Sequence, residues 1–246
     1  MARIENKYLI PKEIKEDILN DMQPYLQHDY YSELREGKDY TVRSIYMDTP
    51  ELTTYYEKLS GVKVRNKYRI RGYNDLTDDA NVFLEIKRKE NIYISKDRVP
   101  VLYSELDEFL DQADLSRVRN HTSQYEKRIE AARNFIYYLL RFRLKPVINV
   151  VYEREALECR FGSGLRVTFD MNIRSRLAQS FESLFEEGAM NVLDPLHYVL
   201  EIKHYQAQPS WVPVIVNKYN LRKQAVSKYA LSVEWHIRNR VLIQSM

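Results

Sequence analysis

One cysteine, Cys159, and six glycines are all that 246 residues offer of either kind. A lone thiol excludes an intrachain disulfide and any cysteine-rich zinc site, and its expected place is a small core or half-buried position. With so few glycines and no Ser/Gly-rich or low-complexity stretch, nothing divides the chain, and residues 1–246 read as a single domain. No run approaches the ~20 apolar residues of a membrane span, so no membrane insertion by this chain is expected. The start, Met1-Ala2-Arg3-Ile4-Glu5-Asn6-Lys7, lacks the apolar run of a signal peptide. A cytoplasmic protein is expected, unless a separate membrane partner tethers it. There is no Gly-x-x-x-x-Gly-Lys loop and no serine in a nucleophile elbow. The histidines, His28, His121, His197, His204 and His236, show no metal spacing and are expected at the surface or in caps. Charge of one sign is lacking too: 38 basic against 35 acidic residues give only +3. That excludes a blanket nucleic-acid signature, and an anion site must come from local arrangement.

What is present is a chain able to build a core, with 44% hydrophobic residues and 12% aromatic, and a soluble surface, with 30% charged. Strands are expected over Arg3–Ile10, Tyr40–Met47, Val62–Tyr73, Asn81–Glu90, Ile92–Val101, Pro146–Arg160, Gly164–Arg174 and His197–Tyr205. A first helix is expected from Pro11 to about Gln27, with Ile14, Ile18, Leu19 and Met22 on one face. Asp48 is a natural N-cap for the segment ending at Gly61. From Ser104 to Leu144 the period turns helical, with Ile129, Ala132, Ile136, Leu139 and Leu140 spaced for a buried face. Helices follow near Val212–Tyr219 and Ser227–Val241. Short links such as Asn74–Asp79 and Phe161–Gly164 favour antiparallel pairing, since parallel strands need long crossovers. The fold class is α+β: an antiparallel barrel with peripheral helices.

The most informative pattern is charge inside strands. Successive strand side chains point to opposite faces, so Lys67, Arg69 and Arg71 share one, as do Glu85, Lys87 and Lys89. Glu5 with Lys7, Tyr152 with Arg154, Arg166 with Thr168 and Asp170, and Glu201 with Lys203 repeat the arrangement. One such strand is ordinarily an amphipathic one with its polar face in water. Six of them, each apolar on the other face, point to helices covering the apolar side and charges turned inward around a lumen. Buried like charges are costly without compensation, and a polyanionic ligand supplies it. Arginine suits bidentate phosphate contacts and lysine acts as a mobile point charge. Glutamates in the same wall become useful if a divalent cation bridges carboxylate and phosphate. The tetrapeptide Leu84-Glu85-Ile86-Lys87 recurs as Leu200-Glu201-Ile202-Lys203. A further basic cluster, Lys127, Arg128, Arg133, Arg141, Arg143 and Lys145, reads as a solvated helix face, or as a guide for an acidic polymer at a tunnel mouth.

Glu5-Asn6-Lys7-Tyr8, Arg43 to Asp48, Lys67-Tyr68-Arg69-Ile70-Arg71, the two Leu-Glu-Ile-Lys strands, Tyr152-Glu153-Arg154, Leu165 to Asp170 and Ser227-Lys228-Tyr229 follow one another in a familiar order. Over nearly the whole chain they resemble the VTC (vacuolar transporter chaperone) polyphosphate-polymerase domain of the triphosphate tunnel metalloenzyme superfamily. The resemblance implies a tunnel barrel with a C-terminal plug or flanking helix, binding ATP and a growing polyphosphate chain. It implies that Arg69 and Arg71, with Lys87, Arg154 and Lys203, act on the transferring phosphoryl group. Lys7, Tyr152, Arg166, Ser227 and Lys228 match further phosphate contacts, and Glu201 matches the metal ligand, with Mn²⁺ usual and Mg²⁺ an alternative. The hydrolytic branch begins Glu-x-Glu-x-Lys, where this chain has Arg3 first, which favours the polymerase branch. A further lysine is expected shortly before Ser227, and Lys223 is the nearby one. A metal-dependent triphosphatase and a non-catalytic polyphosphate or inositol-phosphate module stay open as alternatives.

Overall fold

The computed structural model describes residues 4–91, 93–118, 125–205 and 207–239; Arg3, Ile92, His121 and Val241 lie outside them. The strands in chain order are β1 (Ile4–Pro11), β2 (Leu26–His28), β3 (Asp39–Asp48), β4 (Val64–Tyr73), β5 (Asn81–Glu90), β6 (Tyr93–Leu102), β7 (Lys145–Cys159), β8 (Arg166–Leu177), β9 (Asn191–Val192) and β10 (His197–His204). The helices are α1 (Lys15–Met22), α2 (Tyr30–Glu33), α3 (Thr53–Leu59), α4 (Leu106–Gln112), α5 (Tyr125–Arg141), α6 (Trp211–Lys218) and α7 (Lys228–Arg238), with short 3₁₀ turns between some of them.

All the strands join one antiparallel sheet in the order β1-β10-β8-β7-β3-β4-β5-β6, with β2 added beside β7 and β9 beside β8. The sheet curls into a half-barrel. Its curl is measured by the ion pair between Lys87 on β5 and Glu5 on β1, 2.8 Å apart although the strands are distant in the hydrogen-bonded order. Among the described residues β1 and β6 are the margins of the sheet and do not pair with each other. The β1 margin receives the segment before α7, through a bridge from Tyr8 to Lys223 and a hydrogen bond from Gln224 N to Lys7 O.

Two apolar layers cover the convex face, because the residues between the charged ones all point outward. Tyr68, Ile70, Leu84, Ile86, Val99 and Val101 pack under α4 and α5. Tyr8, Leu157, Val167, Phe169, Leu200 and Ile202 pack under α1 and α6. On the concave face, α7 lies across β3, β7 and β8, burying Tyr229, Ala230 and Val233 against Val42, Ile148, Val150 and Ile173. The β7–β8 turn uses Gly162 and Gly164 at φ +69° and +70°, a conformation that costs glycine little.

The structure corrects several expectations. The first helix ends at Met22 rather than Gln27, since Pro24 cannot continue it, and Leu26–His28 pairs with β7 instead. The stretch from Ser104 to Leu144 divides into α4 and α5, and Leu140, expected in the buried face, is 67% exposed near the helix end. In α7, where Leu231, Val233 and Trp235 are expected to pack, Val233 is buried but Leu231 is exposed, and Tyr229 and His236 are buried beside Val233. Asp48 does serve the start of α3, but from beyond the N-cap position. Its carboxylate accepts from Thr54 N (2.9 Å) and Tyr55 N (3.0 Å), and also from the Tyr229 hydroxyl. His204 and His236 are buried rather than superficial, whereas His28 and His197 are half-buried beside Glu155 and Asp194. Cys159 is half-buried, as a lone thiol is expected to be.

Candidate functional site: a basic lumen

The part of the concave face that α7 leaves open is a cavity of about 600 Å³. Every site residue inferred from the sequence lines it: Lys7, Arg69, Arg71, Lys87, Tyr152, Arg154, Arg166, Glu201, Lys203, Ser227 and Lys228. Among the described residues, fifteen of its lining side chains are Lys or Arg, and Glu5 and Glu201 are its two carboxylates. Cross-strand register explains the convergence. Lys7 stands opposite Glu201 and Glu5 opposite Lys203 on β1 and β10; Lys67 stands opposite Lys87 on β4 and β5.

The cations are not equivalent. Arg69 gives Nε and Nη2 to Glu85 at 2.7 and 2.6 Å and Nη1 to the Tyr46 hydroxyl at 3.1 Å. Arg154 makes a fork with Asp170, Nε at 2.6 Å and Nη2 at 2.8 Å, and Lys228 reaches the same carboxylate. Tyr152 lies beneath both, its ring 5.3 Å from the Arg154 guanidinium and 4.5 Å from the Lys228 ammonium. Arg71 is less engaged: its buried Nε has no hydrogen bond and stands 3.8 Å from Glu85. Lys67 donates to Ser227 Oγ at 2.6 Å, and Ser227 also caps α7 by accepting from Ala230 N. Arg166, at the rim, pairs with Asp29 at 2.5 Å.

Protonation follows the crowding. Burial lowers the Lys67 pKa, and the neighbouring Lys7 and Lys87 push it further, well below the ordinary lysine value. Burial outweighs Glu201 at Lys203 and brings that ammonium down to about 7. Burial opposes the charge of Lys7 as well, but Glu201, Glu5 and Asp170 together raise its pKa. For Glu201, burial favours the neutral acid, yet Lys7, Lys203 and Arg154 hold it well below the usual carboxylate range. The wall is thus short of negative charge where Lys67 and Lys203 stand, and an anion placed there would favour their ammonium forms.

The acidic groups fit a shared divalent cation better than a caged one. Among the described residues no three of His, Cys, Asp and Glu cluster closely enough to enclose a metal. Glu201, 3.4 Å from Lys7 and 3.0 Å from Lys203, is a cavity-lining carboxylate, with Glu5 on the adjacent strand. Hard cations that keep water and phosphate oxygens among their ligands need only one or two protein carboxylates.

The sequence reading did not single out Lys96 and Arg98 on β6, which line the cavity beside Glu85, nor Tyr46, Tyr73, Lys58 and Arg65. Strand β6 is polar on both faces over Ser95–Arg98, so its alternation carries no signal; only its register against β5 turns Arg98 inward. None of the six basic residues on and after α5 lines the cavity, and the exposed ones lie on the convex side.

Comparison with known proteins follows the same direction. A profile of the VTC domain matches residues 2–236. Vacuolar transporter chaperone complex subunit 4 of Trypanosoma brucei brucei is 24% identical over 220 residues, which cover 77% of this chain and 27% of that protein. The chain therefore spans about a quarter of the length of that relative. Among solved structures, a Bacillus halodurans protein proposed to be an adenylate cyclase superposes with a TM-score of 0.50 at 13% identity, over 92% of this chain and 96% of that one. A Hippeastrum protein, proposed as an adenylyl cyclase and described as having dominant triphosphatase activity, gives 0.48 at 14% identity over 95% and 96%. At 13% identity the likeness to the Bacillus halodurans protein is one of fold.

Proposed function

The chain belongs to the VTC-domain family, and from that premise we propose that it polymerises phosphate, passing the γ-phosphoryl group of ATP to a phosphate or polyphosphate chain end and releasing ADP. The observation that carries this reading is the lumen, where lysine and arginine from across the sheet converge with few carboxylates among them. In the transfer, a bond forms between the acceptor oxygen and the γ-phosphorus, and the bond to the β–γ bridging oxygen breaks with its electron pair left on ADP. The acceptor is already an anion, so no protein nucleophile is needed. Alignment and charge neutralisation supply most of the effect in such reactions.

In this reading Arg69, Arg71 and Lys87 hold the transferring group from one wall while Arg154, Lys203 and Lys228 hold the chain from the other. Lys7, Arg166, Tyr152 and Ser227 complete the phosphate contacts. Glu201 would hold a divalent cation, manganese or magnesium, together with phosphate oxygens, and that ion would screen developing charge. The Trypanosoma relative is named as a complex subunit; partner subunits, one of them membrane-bound, are the proposed recipients of the product. No helix among the described residues is long and apolar enough to cross a membrane.

Incubation with ATP and Mn²⁺, followed by gel and phosphorus NMR, tests the reading: long chains and ADP are expected. Orthophosphate alone would make the protein a triphosphatase, and unchanged ATP a binding module. Glu201→Gln is expected to weaken the Mn²⁺ dependence while leaving the unfolding transition in place; equal activity at limiting Mn²⁺ removes Glu201 from the metal site.

A further inference from the structure

At the centre of the basic wall is a carboxylate with none of the roles described so far. Glu85 is fully buried on β5, with Arg69 directly opposite on β4 and Arg98 directly opposite on β6. Its Oε2 meets Arg69 Nε and Nη2 and has Arg71 Nε at 3.8 Å; its Oε1 meets Lys96 Nζ at 3.1 Å and Arg98 Nε at 3.5 Å. Both oxygens meet cations and, unlike Glu201, the side chain does not line the cavity, so it does not face a metal there. Burial alone would favour the neutral acid, but Arg69, Arg71, Lys96 and Arg98 keep it ionised.

Such a group repels phosphate and so weakens anion binding. Its gain lies elsewhere. Four cations from two strands would otherwise turn away from one another, and each would have to be reoriented when charge shifts during transfer. With Glu85 on one edge of Arg69 and Tyr46 on the other, the guanidinium plane is fixed beforehand. Donors fixed before the reaction need no reorganisation during it, and that is where electrostatic catalysis gains most.

We propose that Glu85 is a positioning residue for the transferring phosphoryl group, orienting Arg69 and spacing Arg71, Lys96 and Arg98 at the expense of some phosphate affinity. The kinetic part of this assignment rests on the phosphoryl-transfer reading above; the orientation part does not. Glu85→Gln keeps the shape of the side chain, but its amide NH₂ cannot accept from a cation. The expected result is a kcat lowered about tenfold or more, with KM for ATP not raised and with tripolyphosphate binding, measured by calorimetry, as tight as in the parent or tighter. In Glu85→Gln/Arg69→Ala, kcat should stay within about threefold of Arg69→Ala alone, because residues acting as a unit are not additive. Parallel loss of affinity and kcat, or multiplied losses in the double variant, would overturn the proposal in favour of a merely structural role. The orientation part is read without turnover from the ¹⁵N-arginine side-chain spectrum, where the Arg69 Nε–H signal is assigned by its loss in Arg69→Ala. That signal should be sharp in the parent and broadened in Glu85→Gln or in Glu85→Ala, whichever retains cooperative unfolding; a signal left sharp in both overturns the positioning role. A parent that leaves ATP intact defeats the polymerase reading, and the spectrum then decides the orientation by itself.

Discussion

The concave face of one sheet is completed in two ways. Across β3, β7 and β8 the chain completes it with α7, and Val42, Ile148, Val150 and Ile173 meet Tyr229 and Val233 in an apolar layer. Across β1, β4, β5 and β10 the same face presents Lys7, Lys67, Arg69, Lys87 and Lys203 to a cavity, joined by Tyr152, Arg154 and Arg166 on β7 and β8. The backbone is alike in both regions; the side chains decide what is needed to finish each. An apolar wall is finished by burial, which the chain supplies itself. A cationic wall is finished by negative charge, of which Glu5, Glu85, Glu201 and Asp170 supply a part. Folding free energy should therefore reside mainly in the first region and ligand binding in the second.

The largest test of that division is Ile148→Ala, which removes a fully buried side chain from the α7 layer. A loss of about 2–5 kcal/mol is expected from the lower urea midpoint, with the tripolyphosphate-induced rise in Tm preserved. A lost rise at intact stability would put the binding site in the wrong region. In the opposite direction, Lys67→Met should leave the midpoint of the free protein unchanged or higher, because burial and the neighbouring Lys7 and Lys87 disfavour its ammonium, and should diminish the rise with tripolyphosphate. Next in size are Arg69→Ala and Arg71→Ala. A charge-assisted hydrogen bond is worth ~1.5–3 kcal/mol, so each should lower ATP-dependent turnover roughly ten- to a hundredfold.

A smaller effect concerns pH. In the folded protein Lys203 titrates near 7, far below an unburied lysine, so from pH 7 to about 10 the unfolded chain binds more protons than the folded one. Its contribution makes the ligand-free protein more stable as pH rises through that window. Anion binding restores the proton, so metal-free tripolyphosphate affinity should fall over the same window, by at most about tenfold per unit for one proton. Calorimetry in buffers of different ionisation enthalpy measures the uptake; affinity independent of pH from 7 to 9 contradicts it. The smallest effect is expected from Arg133→Ala and Arg141→Ala on the exposed face of α5, within about twofold in turnover, since screened surface charges act mainly on encounter.

Much of the lumen was legible because period two is a strong signal when it carries charge. Lys67, Arg69 and Arg71 share a face for reasons that lie within five residues of sequence. What could not be read is what depends on neighbours. Arg98 becomes a lumen residue only through its register against Glu85, and Arg69 differs from Arg71 only in how Glu85 and Tyr46 are shared. Pro24 did announce the end of α1, but the apolar Tyr25 and Leu26 beyond it imitate a continued helical face. Strands as short as β2 and β9 have no period to detect, and they exist because β7 and β8 offer them an edge.

That the two margins of the sheet do not pair with each other has a topological consequence. In a ring of hydrogen-bonded strands the bore is fixed by strand number and shear. The strip described here is furled but unsealed, and its bore is set by what spans the gap: a lysine–glutamate contact between β5 and β1, and the short bridge of Lys223 and Gln224 along β1. Girth in such a furled strip is a property of side chains and contents, adjustable where a sealed ring would be rigid.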